Sequence, residues 1–116
     1  VDNRELADQC RALSDPNRVR IFTMLHMDLC VGALAEATGL SESAVSQHLS
    51  RLRAAGLVVG EKRSYWTHYR ARTHALRELG RQLAELADGL EDPGSRCCCS
   101  GGGTCPGGEH CPTIEE

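Results

Sequence analysis

Five of the chain's seven cysteines crowd between positions 97 and 111: Cys97, Cys98, Cys99, Cys105 and Cys111, with His110 beside the last. Thiolate sulfur and imidazole nitrogen are the soft and borderline donors that thiophilic metals and metalloids select. Gly101, Gly102 and Gly103 separate Cys99 from Cys105. They let the backbone fold back without a Cβ clash, at an entropic cost that metal–thiolate bonds offset. Cys10 and Cys30 stand apart. Cys10 shares a helical face with Leu6 and Leu13 and reads as a core residue, whereas Cys30 fits equally a buried thiol or one ligand of a larger site.

A second set of residues suits DNA. Ser43, Ser46, Gln47, Ser50, Arg51 and Arg53 are the short polar and basic types that the second helix of a helix-turn-helix turns into the major groove. Gln47 can bond an adenine edge in two places. Ser43 and Ser46 suit phosphate or base contacts, and Arg51 with Arg53 suits the backbone. His48 either reaches DNA or rests against the core. Lys62 and Arg63, at the tip of an expected hairpin, would lie beside the minor groove or phosphates.

The formal charge of -3 argues against a nucleic-acid binder only as an average. Arg51, Arg53, Lys62, Arg63, Arg70, Arg72, Arg77 and Arg81 face only Glu61 and Glu78 over the same stretch, and the acids gather after Gln82. The basic middle can face phosphates. No apolar run is long enough to cross a bilayer, and Val1 to Leu13 is charged and polar. The expected compartment is therefore the reducing cytoplasm, without membrane contact, where crowded thiols point to metal chemistry. No paired carboxylates, nucleophile with base, or phosphate loop stands out, so an enzyme is not expected.

These groups need elements to position them. Asn3 is a plausible cap for a helix to Leu13, and Asp15-Pro16 opens a second helix that buries Val19, Ile21, Phe22, Met24 and Leu25. A short link, Met27 to Val31, leads to a helix over 32–38 that stops at Gly39. Ser41 caps the next, with Ala44, Val45, His48, Leu49 and Leu52 at helical spacing until Gly56. Residues 57–59 and 65–71 are β-prone and join through Gly60 to Ser64 as a two-stranded wing. From Thr73 to Leu90 a leucine stripe has no partner within the chain, and a dimer mate could cover it. The expected class is mostly α with a small β-hairpin: a dimeric winged helix-turn-helix domain over 1–90, then a flexible Cys/Gly-rich tail over 91–116.

Residues 13–71 resemble the ArsR/SmtB family of bacterial metal-responsive repressors. The resemblance rests on Leu13-Ser14-Asp15-Pro16-Asn17-Arg18, Asp28-Leu29-Cys30-Val31-Gly32 and Ser41-Glu42-Ser43-Ala44-Val45-Ser46-Gln47-His48-Leu49. It implies a homodimer, packed through the first and last helices, that holds double-stranded operator DNA until an inducer releases resistance or efflux genes. One departure is local: the family often has Gly then Arg at the wing tip, and this chain has Ser64 then Tyr65.

The family's sensor sites fit unequally. Its zinc site on the last helices would fall on Thr73, Ala75, Leu86 and Gly89, which cannot serve, and His74, Glu85 and Asp88 mimic it only after a one-residue shift. Its third-helix site retains Cys30, with Gly32 and Ala33 at the other positions. Cys98-Cys99 with Cys105 is similar to the tail of some arsenic-sensing members, and three thiolates match the trigonal pyramid of As(III) or Sb(III). Cys97, Cys111 and His110 are possible additions. Divalent Cd, Pb or Zn could instead draw on the tail plus Cys10 or Cys30. A thiol-redox repressor on the same scaffold and a metal-buffering protein with a metallothionein-like tail are the remaining alternatives.

Overall fold

The computed structural model describes residues 2–90. It separates into a unit ending at Ala84 and a second beginning at Glu85, of which 85–90, the end of the last helix, are described. The tail with Cys97, Cys98, Cys99, Cys105, His110 and Cys111 lies outside the described residues.

Helix α1 (Asn3–Ala12) is capped by Asp2, not by Asn3. The Asp2 carboxylate accepts from the Arg4 and Glu5 N–H groups at 3.0 and 3.2 Å, so Asn3 is already the first helical residue. The buried stripe is Leu6, Gln9 and Ala12, and Cys10 is exposed. The apolar spacing misplaced Cys10 because the intervening buried residue is polar: the Gln9 amide donates to the Ala55 carbonyl at 3.4 Å.

Helix α2 (Pro16–Thr23) begins as Asp15 and Pro16 dictate, with Asp15 accepting from Asn17 N–H at 2.7 Å. Ile21, Phe22 and Leu25 are buried, while Val19 is exposed and Met24 half-buried. Arg18 is 7 % exposed. Its Nε donates to the Ala12 carbonyl at 2.7 Å and Nη2 to Arg11 at 3.5 Å, so a guanidinium occupies the carbonyl end of α1 and fixes the corner between the two helices.

The link after α2 is not wholly irregular. Leu29–Cys30 forms a strand, β1, before α3 (Val31–Thr38). Helix α3 stops at Gly39, whose φ of 75° is left-handed and whose N–H reaches the Ala35 carbonyl at 2.9 Å. Helix α4 (Glu42–Ala54) starts at Ser41, whose hydroxyl accepts from Ala44 N–H at 3.1 Å. It ends in a Schellman turn: Gly56 has φ 77°, its N–H bonds the Arg53 carbonyl, and the Leu57 N–H bonds the Leu52 carbonyl at 3.0 Å.

Strands β2 (Val58–Arg63) and β3 (Trp66–Ala71) follow, and the sheet order is β1-β3-β2 with all pairs antiparallel. The expected polar loop over Gly60 to Ser64 is mostly strand. Arg63 pairs with Trp66, leaving only Ser64 and Tyr65 as the loop. Helix α5 (Thr73–Leu90) closes the described chain.

The core gathers Ile21, Phe22 and Leu25 of α2 and its end, Leu34 of α3, Val45, Leu49 and Leu52 of α4, and Leu57 and Val58. Each fully buried leucine contributes about 1.5–3 kcal/mol. Helices α1, α2 and α3 and strand β2 all pack on α4, and its inward face cannot rotate without emptying the core. On α5, Leu79 is buried, but Leu76 and Leu83 in the first unit and Leu86 and Leu90 in the second are exposed.

Candidate nucleic-acid interface and cysteine positions

Burial of Val45, Leu49 and Leu52 forces the other side of α4 outward. Ser43, Ser46, Gln47, Ser50, Arg51 and Arg53 are all exposed, forming a polar face with no apolar residue to hide. His48 is half-buried. Its Nδ1 is buried with no hydrogen-bond partner among the described residues, and its charge helps to lower the Asp15 carboxyl. The larger cause of that shift is the hydrogen bond Asp15 accepts from Asn17 N–H.

The turn that sets the angle between α3 and α4 is held from a third element. The Arg20 guanidinium on α2 donates to the carbonyls of Thr38 at 3.2 Å and Ala37 at 3.4 Å. The Thr38 hydroxyl donates to the Leu34 carbonyl at 2.7 Å and accepts from Leu40 N–H at 3.3 Å. The last carbonyls of α3 are thereby satisfied before the chain turns into α4.

The base of the wing is hydrogen-bonded to the turn that ends α4. The Arg72 side chain donates to the Gly56 carbonyl at 3.1 Å, and Arg72 N–H to the Leu57 carbonyl at 2.8 Å, tying the ends of the hairpin together. Lys62 is exposed near the tip. Arg63 is engaged: Nη2 lies 2.9 Å from Asp28 and 3.2 Å from Glu61, and both bonds raise its pKa. Ser64 and Tyr65 make the loop, and Tyr65 with Trp66 is exposed. Trp66 and Arg20 were not singled out from sequence, Arg72 was named only among the basic residues of the middle stretch, and Tyr65 only as a departure at the wing tip. The Tyr-Trp doublet next to a turn was the available signal for the two rings.

Cys30 pairs with His68 across β1 and β3, and His68 pairs with Glu61 across β3 and β2. These residues make a row across one face of the sheet, and His68 Nδ1 is buried without a hydrogen-bond partner among the described residues. No three His, Cys, Asp or Glu side chains among the described residues come together as a metal site. No described helix is long and apolar enough to cross a membrane.

With this geometry in view, the profile described as "Bacterial regulatory protein, arsR family" matches residues 15–59, from the cap of α2 into β2. An ArsR-like transcriptional regulator from Rhodococcus sp. RHA1 is 35 % identical, with TM-score 0.69, over 73 % of this chain and 81 % of that one. The solution structure of a homodimeric winged helix-turn-helix DNA-binding domain from Mycobacterium bovis is 27 % identical with TM-score 0.61, over 73 % and 80 %. The arsenical resistance operon repressor of Escherichia coli K12 is 36 % identical over 66 residues, 55 % of this chain and 56 % of that one. Of two other curated relatives, 36 % and 46 % identical, the chain spans 62 % and 65 % of the length.

Proposed function

The chain belongs to the arsR family of bacterial regulatory proteins, and from that premise we propose that it is a metal- or metalloid-responsive transcriptional repressor. It binds operator DNA as a homodimer and acts by binding, not catalysis. The observation that carries this reading is α4: an exposed face of Ser43, Ser46, Gln47, Ser50, Arg51 and Arg53 backed by the buried Val45, Leu49 and Leu52. Such a helix enters a major groove with its side chains already presented. The exposed leucines of α5 supply the surface that a second copy covers, as the homodimeric neighbour supports.

The inducer is As(III) or Sb(III). Cys98, Cys99 and Cys105 would hold it through three thiolates, with Cys97, Cys111 or His110 in reserve, and the arsenical resistance relative supports the class. Cys98, the first of the three thiols, lies eight residues beyond the end of α5 in sequence, so an ion held there would bias the dimer interface and the spacing of the two α4 helices. Such coupling weakens DNA binding reciprocally, by about 5- to 150-fold in typical cases.

A second reading has one observation in its favour. Cys10 is exposed and not packed, so it can join the tail as a ligand, with or without Cys30, for four-coordinate Cd, Pb or Zn.

The DNA half of the proposal is tested by enrichment of duplexes from a random pool with the reduced full chain. Recovery of a two-fold symmetric sequence supports it, and failure to enrich any sequence refutes it.

A further inference from the structure

Where α1, α2 and the last turn of α4 meet, the fold leaves an open cavity of about 260 Å³, lined in part by the small residues Ala12, Ala54 and Ala55. Three guanidinium groups share it, from Arg11 of α1, Arg18 of α2 and Arg51 of α4, with the carboxylate of Asp8 as the one acid in the lining. The cavity therefore carries an excess of two positive charges.

The three cations are unequally committed. Arg11 lies 3.2 Å from Asp8, but the two side chains are 75 % and 54 % exposed, so water screens the pair. Arg51 is exposed and makes no side-chain hydrogen bond or ion pair among the described residues. Arg18 is buried, which makes an uncompensated charge there costly. Its Nε and Nη2 donate to the carbonyls of Ala12 and Arg11, and Nη1 has no partner among the described residues. Asp15, which feels the Arg18 charge, is spent on the cap of α2.

Carbonyls at this corner that would repel an anion are already engaged. Arg18 takes those of Ala12 and Arg11, and the Gln9 amide takes that of Ala55. The Ala55 and Gly56 N–H groups take those of Arg51 and Arg53. Guanidinium donors thus outnumber free acceptors, and their planar forks fit the oxygens of a phosphate two at a time.

We propose that this cavity is a binding site for a small dianion: inorganic phosphate, or a phosphate group at the end of a small molecule. Arg18, held by its bonds to the end of α1, supplies the fixed charge, and Arg11 and Arg51 close on the ligand from α1 and α4. A nucleic-acid backbone offers the same group. The cavity, however, lies at the carbonyl end of α4, whereas Ser43, Ser46 and Gln47, the residues suited to bases, lie toward its start. The site does not depend on the repressor reading, with which it shares only Arg51.

The test uses the reduced, 15N-labelled full chain, titrated with sodium phosphate and, separately, with sodium chloride at equal ionic strength. Backbone N–H and arginine Nε–H signals are followed by NMR. Saturable shifts of the Ala12, Arg18 and Ala55 signals are expected in phosphate and not in chloride. Arg11→Gln and Arg51→Gln, both at exposed positions, should each weaken phosphate about ten-fold and leave the rest of the spectrum in place.

Equal, unsaturable shifts in the two salts, or a phosphate response that both variants leave undiminished, overturn the proposal. So does a chain that ignores free phosphate while Arg11→Gln lowers the slope of log duplex affinity against log salt by about one per subunit. That result gives the arginines to the DNA backbone and supports the repressor reading. Saturable phosphate binding by a chain that enriches no duplex keeps the site and removes the repressor.

Discussion

The Arg63 guanidinium lies 2.9 Å from the Asp28 carboxylate, joining the end of β2 to the residue just ahead of β1. Both groups are substantially exposed, so the pair adds little stability; its effect is to decide which cation is available to DNA. Lys62→Ala should lower the slope of log affinity against log salt by about one per subunit. Arg63→Ala should change it less. Asp28→Ala leaves Arg63 held by Glu61 alone and should steepen the slope, by less than about one per subunit. Anisotropy titrations at several salt concentrations check the order, and equal effects at Lys62 and Arg63 would contradict it.

Arg20 clamps the carbonyl end of α3 through Thr38 and Ala37. Removing it leaves two carbonyls at the helix-turn-helix corner to water. Arg20→Ala is expected to cost about 1–2 kcal/mol in urea unfolding and to weaken duplex binding more than its charge alone explains. Full retention of both would mean that the corner is held by Thr38 and the core without help.

Backbone handedness makes opposite demands at two turns. Gly56 at φ 77° closes the Schellman turn, and Gly56→Ala should cost about 1–2 kcal/mol. Ser64 at φ 58° pays that cost already, so Ser64→Gly should gain about 0.5–1 kcal/mol. Chemical denaturation of both variants decides, and destabilisation by Ser64→Gly would show that the Ser64 side chain supports the loop.

Acid should loosen the fold over a defined range. Arg81 hydrogen bonds hold the Glu78 carboxyl at about 2, against an ordinary 4.5, and the Asn17 N–H lowers Asp15. Both folded values lie below the unfolded ones, so the unfolded chain takes up protons first as pH falls. The stability these groups confer is complete above about pH 4.5 and drains away toward pH 2. Glu78→Gln and Asp15→Asn should each flatten that decline, with Asn keeping the cap of α2. An unchanged acid limb in both would remove these two groups from the account.

Much of this architecture was legible because its boundaries are written in residues with one preferred use. Asp15-Pro16, Ser41, Gly39 and Gly56 start and stop helices, and Val45, Leu49 and Leu52 define which side of α4 faces out. The strand at Leu29 and Cys30 was not legible, since two residues hold an extended conformation only by pairing with Tyr69 and His68. Nor was the burial of Gln9 in place of Cys10, which depends on a carbonyl 46 positions away. The polar run from Gly60 to Arg63 looked like a loop because exposed wing strands lack the apolar alternation of core strands. Arginines that cap distant carbonyls, such as Arg18 and Arg20, carry no local signal of that use.

The central claim is that the chain releases DNA when Cys98, Cys99 and Cys105 take As(III) or Sb(III). Its most direct test is anisotropy of an enriched, dye-labelled duplex under anaerobic reducing conditions, titrated with arsenite and then with zinc, cadmium and lead. The wild type is compared with a variant carrying Cys98→Ser, Cys99→Ser and Cys105→Ser together. The account predicts that arsenite releases the wild type and leaves the triple variant bound. Release by divalent ions alone, or an undiminished arsenite response in the variant, would contradict it and move the sensor toward Cys10 and Cys30.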